Sequence, residues 1–202
     1  MKLYYTPPAC SLSPHIVARE AGVPIELVKV DLKAHTLEDG TDYTTINPKG
    51  SVPLLELGDG DRLSEGPAIV QYLADRNPAA GLAPAAGTMA RYHLQEWLNF
   101  VTSELHKQYS PLFDAAVPAE YKEAVKARLA QRLEWLSTRL AGQDYLTGAQ
   151  FSVADAYLFT VLSWNRWVGL DTAKWPVLEA YVARIGARPK VQEALKAEGL
   201  TR

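Results

Sequence analysis

The chain reads as an α/β unit followed by an all-α unit, and three observations predict this. Over residues 1–80 the hydrophobic period switches repeatedly between strand-like and helical. From Thr88 onward strand signals vanish and long helical patterns take over. Between the two runs an uncharged stretch rich in Pro, Gly and Ala, Asn77 to Gly87. The boundary is therefore placed in residues 81–87, with units at 1–80 and 88–202.

Taken in order, Lys2 to Tyr5 is strand-like, Ser13 to Ala21 helical and Glu26 to Val30 strand-like again, a β-α-β start. After a loop region, Val52 to Leu57 and Arg62-Leu63 read as strands and Pro67 to Arg76 as a helix, which is β-β-α. Asp59-Gly60 is a hairpin signal, because glycine accepts the positive φ of such turns, so these two strands are expected to be antiparallel neighbours. The all-α part is punctuated at Pro118, Gly142, Gly148, Gly169, Pro176 and Pro189. Ser152-x-x-Asp155 ahead of an apolar run is a capping-box pattern, which marks a helix start rather than chemistry.

Of the 202 residues 48% are apolar and the formal net charge is −2, the balance of a globular protein with no surface made for polyanions. Nucleic acid is not an expected partner. A single cysteine cannot form an internal disulfide, and the chain does not open with a basic region followed by an apolar stretch, so a reducing cytoplasm is the expected compartment. No apolar run approaches the ~18 residues that span a bilayer, so no membrane is expected as partner. No spacing of His, Cys, Asp and Glu suggests a metal site.

The cysteine is the first candidate for chemistry. Cys10 lies in the loop Pro7 to Ser11, between the first strand and the first helix, where unpaired N–H groups and the helix dipole favour a thiolate. The alternative is a small buried hydrophobe. Pro53 opens a strand, where its missing N–H wastes no ladder bond. Either it simply initiates that strand, or a cis Val52-Pro53 bond turns the Val52 N–H and C=O toward a ligand beside the sheet edge. Glu65-Gly66-Pro67 opens the next helix, with Ser64 as the expected N-cap. Glu65 either complements the helix dipole or, with the bare backbone of Gly66, binds the ammonium and carboxylate of a free amino acid head.

In the all-α part, a helix through Tyr92 to Ser110 places Leu94, Trp97, Leu98, Val101, Leu105 and Tyr109 on an apolar stripe. A polar stripe includes Asn99, Ser103 and His106. It is either a solvated face or a ligand face, and it carries Asn, Ser and His where solvated faces usually carry Lys and Glu. His15, one turn after Cys10, is expected to pack or to face solvent, and His93 lies off both stripes.

Several separate segments resemble one family: the opening Lys2 to His15, Val52-Pro53, Glu65-Gly66, Trp97 to Phe100, Glu104 to Lys107, Ser152 to Phe159 and Ala197 to Leu200. They are similar to cytosolic glutathione S-transferases, and among these to the bacterial beta class, in which a cysteine stands where other classes use Tyr or Ser. The resemblance covers the whole chain. It implies a thioredoxin-like glutathione-binding domain over 1–80, a linker over 81–87, and a helical domain over 88–202 that contributes the site of a hydrophobic electrophile. Glutathione is implied as co-substrate, without a metal, in a homodimeric enzyme.

By the same resemblance Val52, beside Pro53, pairs with the cysteinyl backbone of glutathione, and Glu65 and Gly66 hold its γ-glutamyl head. Asn99, Ser103, Glu104 and His106 reach it from the second domain. Cys10 and His106 attend the sulfur, with Ser11 as a further donor to the thiolate. His35 stands where many members have a lysine on the glycyl carboxylate, so the chain departs from the pattern there, with a shorter side chain whose charge fades near neutral pH. Tyr109, Phe113, Trp164 and Trp167 are candidates for an apolar wall near the sulfur, with inter-helix core as the alternative, above all for Trp167. The implied activity is activation of the glutathione thiol for attack on hydrophobic electrophiles, with thiol-disulfide exchange through Cys10 as a further capacity. A glutathione-dependent thiol-disulfide oxidoreductase and a non-catalytic ligand-binding protein are the alternatives.

Overall fold

The computed structural model describes residues 1–201, which form two compact units. One is Met1–Ala83 together with the segment from Arg188 onward; the other is Pro84–Ala187.

The first unit begins with β1 (Lys2–Tyr5), α1 (Leu12–Glu20), β2 (Glu26–Asp31) and β3 (Thr36–Leu37). It continues with β4 (Leu54–Glu56), β5 (Arg62–Ser64) and α2 (Gly66–Arg76). The sheet order is β3-β2-β1-β4-β5. β1 runs parallel to β2, with Leu3 opposite Leu27, and antiparallel to β4, with Leu3 opposite Leu55. The hairpin expected from Asp59-Gly60 forms between β4 and β5. The two-residue β3 has no periodicity of its own to reveal it; it pairs with β2 where Leu37 packs against the cluster of Tyr4, Val30, Tyr43, Val52 and Leu54. Leu3, Leu12, Ile16, Leu55, Ile69 and Leu73 are wholly enclosed, each burial worth about 1.5–3 kcal/mol.

The second unit carries α3 (Met89–Phe100), a π-helical segment Val101–His106, α4 (Lys107–Phe113) and α5 (Ala119–Leu140). It is completed by α6 (Val153–Leu162), α7 (Asn165–Val168) and α8 (Pro176–Gly186). α5 buries Val125, Leu129, Leu133, Leu136 and Leu140, a stripe at helical spacing. α6 is buried all round, as a helix without a polar face must be. Its capping box is as the sequence predicts: the Ser152 N–H and hydroxyl donate to Asp155 Oδ2 at 2.8 and 2.7 Å. The fold adds two more donors, the Leu146 N–H and the Tyr181 hydroxyl, each 2.8 Å from Asp155 Oδ1. Burial pushes the Asp155 carboxyl up and the four donors pull it partly back.

The expectation that 88–202 form one helical domain is corrected at its end. α9 (Pro189–Ala197) packs on α1, in the first unit. Val191 and Ala194 of α9 are wholly buried, and polar contacts join the two helices as well. His15, buried in α1, places Nδ1 2.8 Å from Glu198 Oε1 and accepts at Nε2 from the Arg19 guanidinium at 3.0 Å. Arg188 meets Glu20 through two bonds of 2.7 and 2.9 Å. His15 is thus a buried hydrogen-bonding residue, a partnership with Glu198 that spans 183 positions of sequence.

Candidate active site

In the first unit the loop after β1 is held by Thr6 and Ser11. The Thr6 hydroxyl donates to the Val30 carbonyl at 2.6 Å, and the Ser11 hydroxyl accepts from the Thr6 N–H at 3.1 Å while donating to the Thr6 carbonyl at 3.3 Å. Ser11 is wholly buried. The expected role of Ser11 as donor to a thiolate is therefore corrected: its hydroxyl closes the loop that presents Cys10.

Cys10 is half-buried and its thiol donates to the Val52 carbonyl at 3.3 Å. The Val52-Pro53 bond is cis, as is Pro7-Pro8. The Val52 carbonyl, expected to face a ligand, is occupied by the Cys10 thiol. The approach to Val52 is built by Asn47, which sequence reasoning assigned no role. Buried Asn47 donates from Nδ2 to the Ser51 carbonyl at 2.7 Å, and its own carbonyl accepts the Gly50 N–H at 2.8 Å.

Glu65, not Ser64, is the residue that precedes the first turn of α2, because Ser64 is committed to β5 opposite Leu54. Glu65 has φ of +69°, a backbone region costing a non-glycine residue on the order of 1–3 kcal/mol. Its carboxylate makes no bond to the helix N-terminus. Instead Oε1 lies 2.7 Å from Lys49 Nζ, which also donates to the Ser64 hydroxyl at 2.8 Å. Gly66 sits over Pro53: a Cβ there would be 4.0 Å from the proline Cγ.

His35 is exposed, with φ of 53°, and its ring lies over Gly50. A Cβ on Gly50 would come within 2.8 Å of the ring, and Gly50 also has φ of +62°, so both space and backbone require glycine. Cys10, Val52-Pro53, Gly66-Glu65, Lys49-Gly50 and His35 thus form one unbroken chain of neighbours within the first unit.

In the second unit the expected straight helix is interrupted. The π-helical turn Val101–His106 falls on the candidate residues, and such turns recur at functional sites. The Thr102 and Ser103 hydroxyls donate to the Leu98 and Asn99 carbonyls at 2.8 and 3.0 Å where the helical ladder changes register. The polar stripe consequently divides. Asn99 and Ser103 are exposed, and Glu104 is paired with Arg132 of α5 at 2.7 Å. His106 turns to aromatic neighbours instead: Nδ1 is 2.6 Å from the Tyr157 hydroxyl, and its ring meets the Trp164 ring edge-on at 4.9 Å.

The aromatic candidates separate by burial. Trp164 is the hub, in edge contact with His106, Tyr109 and Phe113. Tyr109 is corrected from cleft wall to core: it is wholly buried, its hydroxyl donates to Asn165 Oδ1, and burial pushes its phenol well above the usual range. Trp164 is itself 5% exposed, which leaves Phe113, 52% exposed, as the member that can meet a ligand. Trp167 is neither core nor part of this cluster; it is 57% exposed beneath the Arg166 guanidinium.

Comparison with known proteins shows the family. The family described as Glutathione S-transferase, N-terminal domain, matches residues 9–76, and Glutathione S-transferase, C-terminal domain, matches residues 96–189. The chain is 47% identical over 200 residues to glutathione S-transferase GstA of Escherichia coli O157:H7, covering 99% of this chain and 100% of that one. A sphingomonad glutathione S-transferase solved in complex with glutathione superposes with a TM-score of 0.96 at 50% identity, covering all of both chains. A bacterial beta class glutathione S-transferase of Sphingomonas chungbukensis superposes with a TM-score of 0.97 at 47% identity, again over all of both chains. The chain belongs to the glutathione S-transferase family and, within it, to the bacterial beta class. Among the described residues no helix is long and apolar enough to cross a membrane.

Proposed function

We propose that this enzyme binds glutathione along the chain of neighbours from Cys10 to His35 and activates its thiol for attack on a hydrophobic electrophile. The observation that carries the reading is the gathering of Cys10, Val52-Pro53, Glu65-Gly66 and His35, distant in sequence, along one stretch of the first unit. In this reading the Val52-Pro53 segment pairs with the cysteinyl backbone, Glu65 and Gly66 take the γ-glutamyl head, and His35 meets the glycyl carboxylate. Asn99, Ser103 and Glu104 contribute from the second unit, and His106 donates to the sulfur. A donor aimed at a thiolate favours its ionised form and so supplies nucleophile at neutral pH. Phe113, exposed and backed edge-on by the buried Trp164, suits a flat, apolar acceptor.

A second capacity, thiol-disulfide exchange, is favoured by Cys10 itself, a half-buried thiol bonded to the carbonyl of the very residue assigned to the ligand. One purified sample assayed for conjugation of a chloronitroaromatic and for reduction of a glutathione mixed disulfide separates the readings. Conjugation establishes the transferase, exchange alone the oxidoreductase, and neither activity the binding protein. The enzyme is further read as a cytoplasmic homodimer. Trp97, Phe100 and Trp135 cluster in edge and tilted contacts, with Trp135 46% exposed, an apolar surface suited to a partner copy, and sedimentation at the 22.3 kDa of one chain rejects the dimer.

A further inference from the structure

Tyr157 is buried on α6, where it is 2% exposed, and the reaction as proposed above assigns it no part. Its hydroxyl nevertheless lies 2.6 Å from His106 Nδ1. That contact joins a helix buried along its whole length to the π-helical turn of the second unit. α6 is fixed at its start by the four donors on Asp155, two residues before Tyr157, and is enclosed along its length. His106 closes the π-helical turn, where the backbone does not hold a side chain in the usual helical direction.

The two ring nitrogens of a neutral histidine are not equivalent: one donates and the other accepts, and the partner of one decides the state of the other. A phenol is a far more acidic donor than an imidazole N–H, and the bare imidazole nitrogen is a better acceptor than a phenol oxygen. Between the two, O–H···N is the favoured arrangement. We propose that Tyr157 is a positioning residue for His106: its hydroxyl donates to Nδ1, so that Nε2 carries the ring N–H and offers it to the sulfur. Trp164 packs edge-on against the same ring and keeps it from turning over. Glu104, two residues before His106, is paired with Arg132 of α5 at 2.7 Å. This inference rests on the assignment of His106 to the glutathione sulfur.

The test has a spectroscopic and a kinetic arm. In wild-type protein labelled with 15N at histidine, above the pH at which His106 loses its second proton, the His106 resonances are expected to show a protonated Nε2 and a bare Nδ1. The opposite tautomer overturns the proposal without any variant being made. Tyr157→Phe removes only the hydroxyl; it is expected to mix the two tautomers and to shift the ionisation of bound glutathione, read as thiolate absorbance, upward by about one pH unit. The expected kinetic signature is a kcat about tenfold lower with KM for glutathione within about twofold of wild type. His106→Ala is expected to shift the ionisation at least as far, and Tyr157→Phe to add nothing further in that background. If His106→Ala leaves the ionisation unmoved, the assignment of His106 to the sulfur fails and this inference with it. If His106→Ala moves it and Tyr157→Phe does not, the inference alone fails.

Discussion

Lys49 Nζ stands 2.7 Å from Glu65 Oε1, so the carboxylate assigned to the ligand's ammonium already holds a cation of the protein's own. The pair is exposed, 53% and 71% for the two side chains, and such a pair contributes about 0–1 kcal/mol. Glutathione must therefore displace Lys49 or share Glu65 with it. Lys49→Met is expected to tighten glutathione binding by up to about fivefold, and Glu65→Gln to weaken it about tenfold or more. Calorimetric titration of both variants measures this. Weaker binding by Lys49→Met would show that Lys49 itself grips the ligand.

Glu65 carries a positive φ that glycine tolerates and glutamate does not. Glu65→Gly is expected to raise stability by about 1 kcal/mol while abolishing high-affinity glutathione binding. Denaturant melts paired with titration show whether stability and affinity move in opposite directions. A fall in both would mean that the side chain supports the fold.

Cys10 is tied to the Val52 carbonyl through its thiol, and the ligand is proposed to lie on that same residue. Alkylation of Cys10 in the native protein should therefore be slowed by glutathione, and Cys10→Ala should abolish disulfide exchange. Conjugation should survive in that variant, because the sulfur being activated belongs to the ligand. Mass spectrometry after timed exposure to a thiol reagent gives the first result, and an unmodified Cys10 would remove it from the site.

His35 lies over Gly50 with its ring exposed, and it is the side chain proposed to meet the glycyl carboxylate. Histidine loses its charge between pH 5 and 8 and lysine does not. His35→Lys is expected to tighten glutathione binding more at pH 8 than at pH 6. Equal effects at both pH values would place the glycyl carboxylate elsewhere.

Asp155 receives four hydrogen bonds in a buried setting. As an ordinary cap its loss would cost about 0.5–2 kcal/mol. Asp155→Ala strands the Leu146 N–H and the Tyr181 hydroxyl as well, so a loss above about 3 kcal/mol is expected in a urea melt. A loss within the ordinary range would show that the two distant donors find water instead.

Local order was legible along the chain because it is written in neighbouring residues. Period and turn chemistry placed β1, α1, β2, the hairpin and α2; Ser152 and Asp155 announced the start of α6; the motifs around Cys10, Val52-Pro53 and Glu65-Gly66 announced the candidate site. What depends on partners far away in sequence was not legible. Nothing near His15 points to Glu198, nothing near Tyr157 points to His106, and Lys49 gives no sign that it will reach Glu65. The same holds for burial. Tyr109 and Trp167 each follow two polar residues, Lys107-Gln108 and Asn165-Arg166, yet packing encloses one and leaves the other in solvent. The identity of the elements and the chemistry available to the site were therefore determined by the sequence alone, through short-range periodicity and capping. Which hydroxyl meets His106 Nδ1, which cation occupies Glu65 and which unit α9 joins were decided only when the tertiary structure brought those groups within bonding distance.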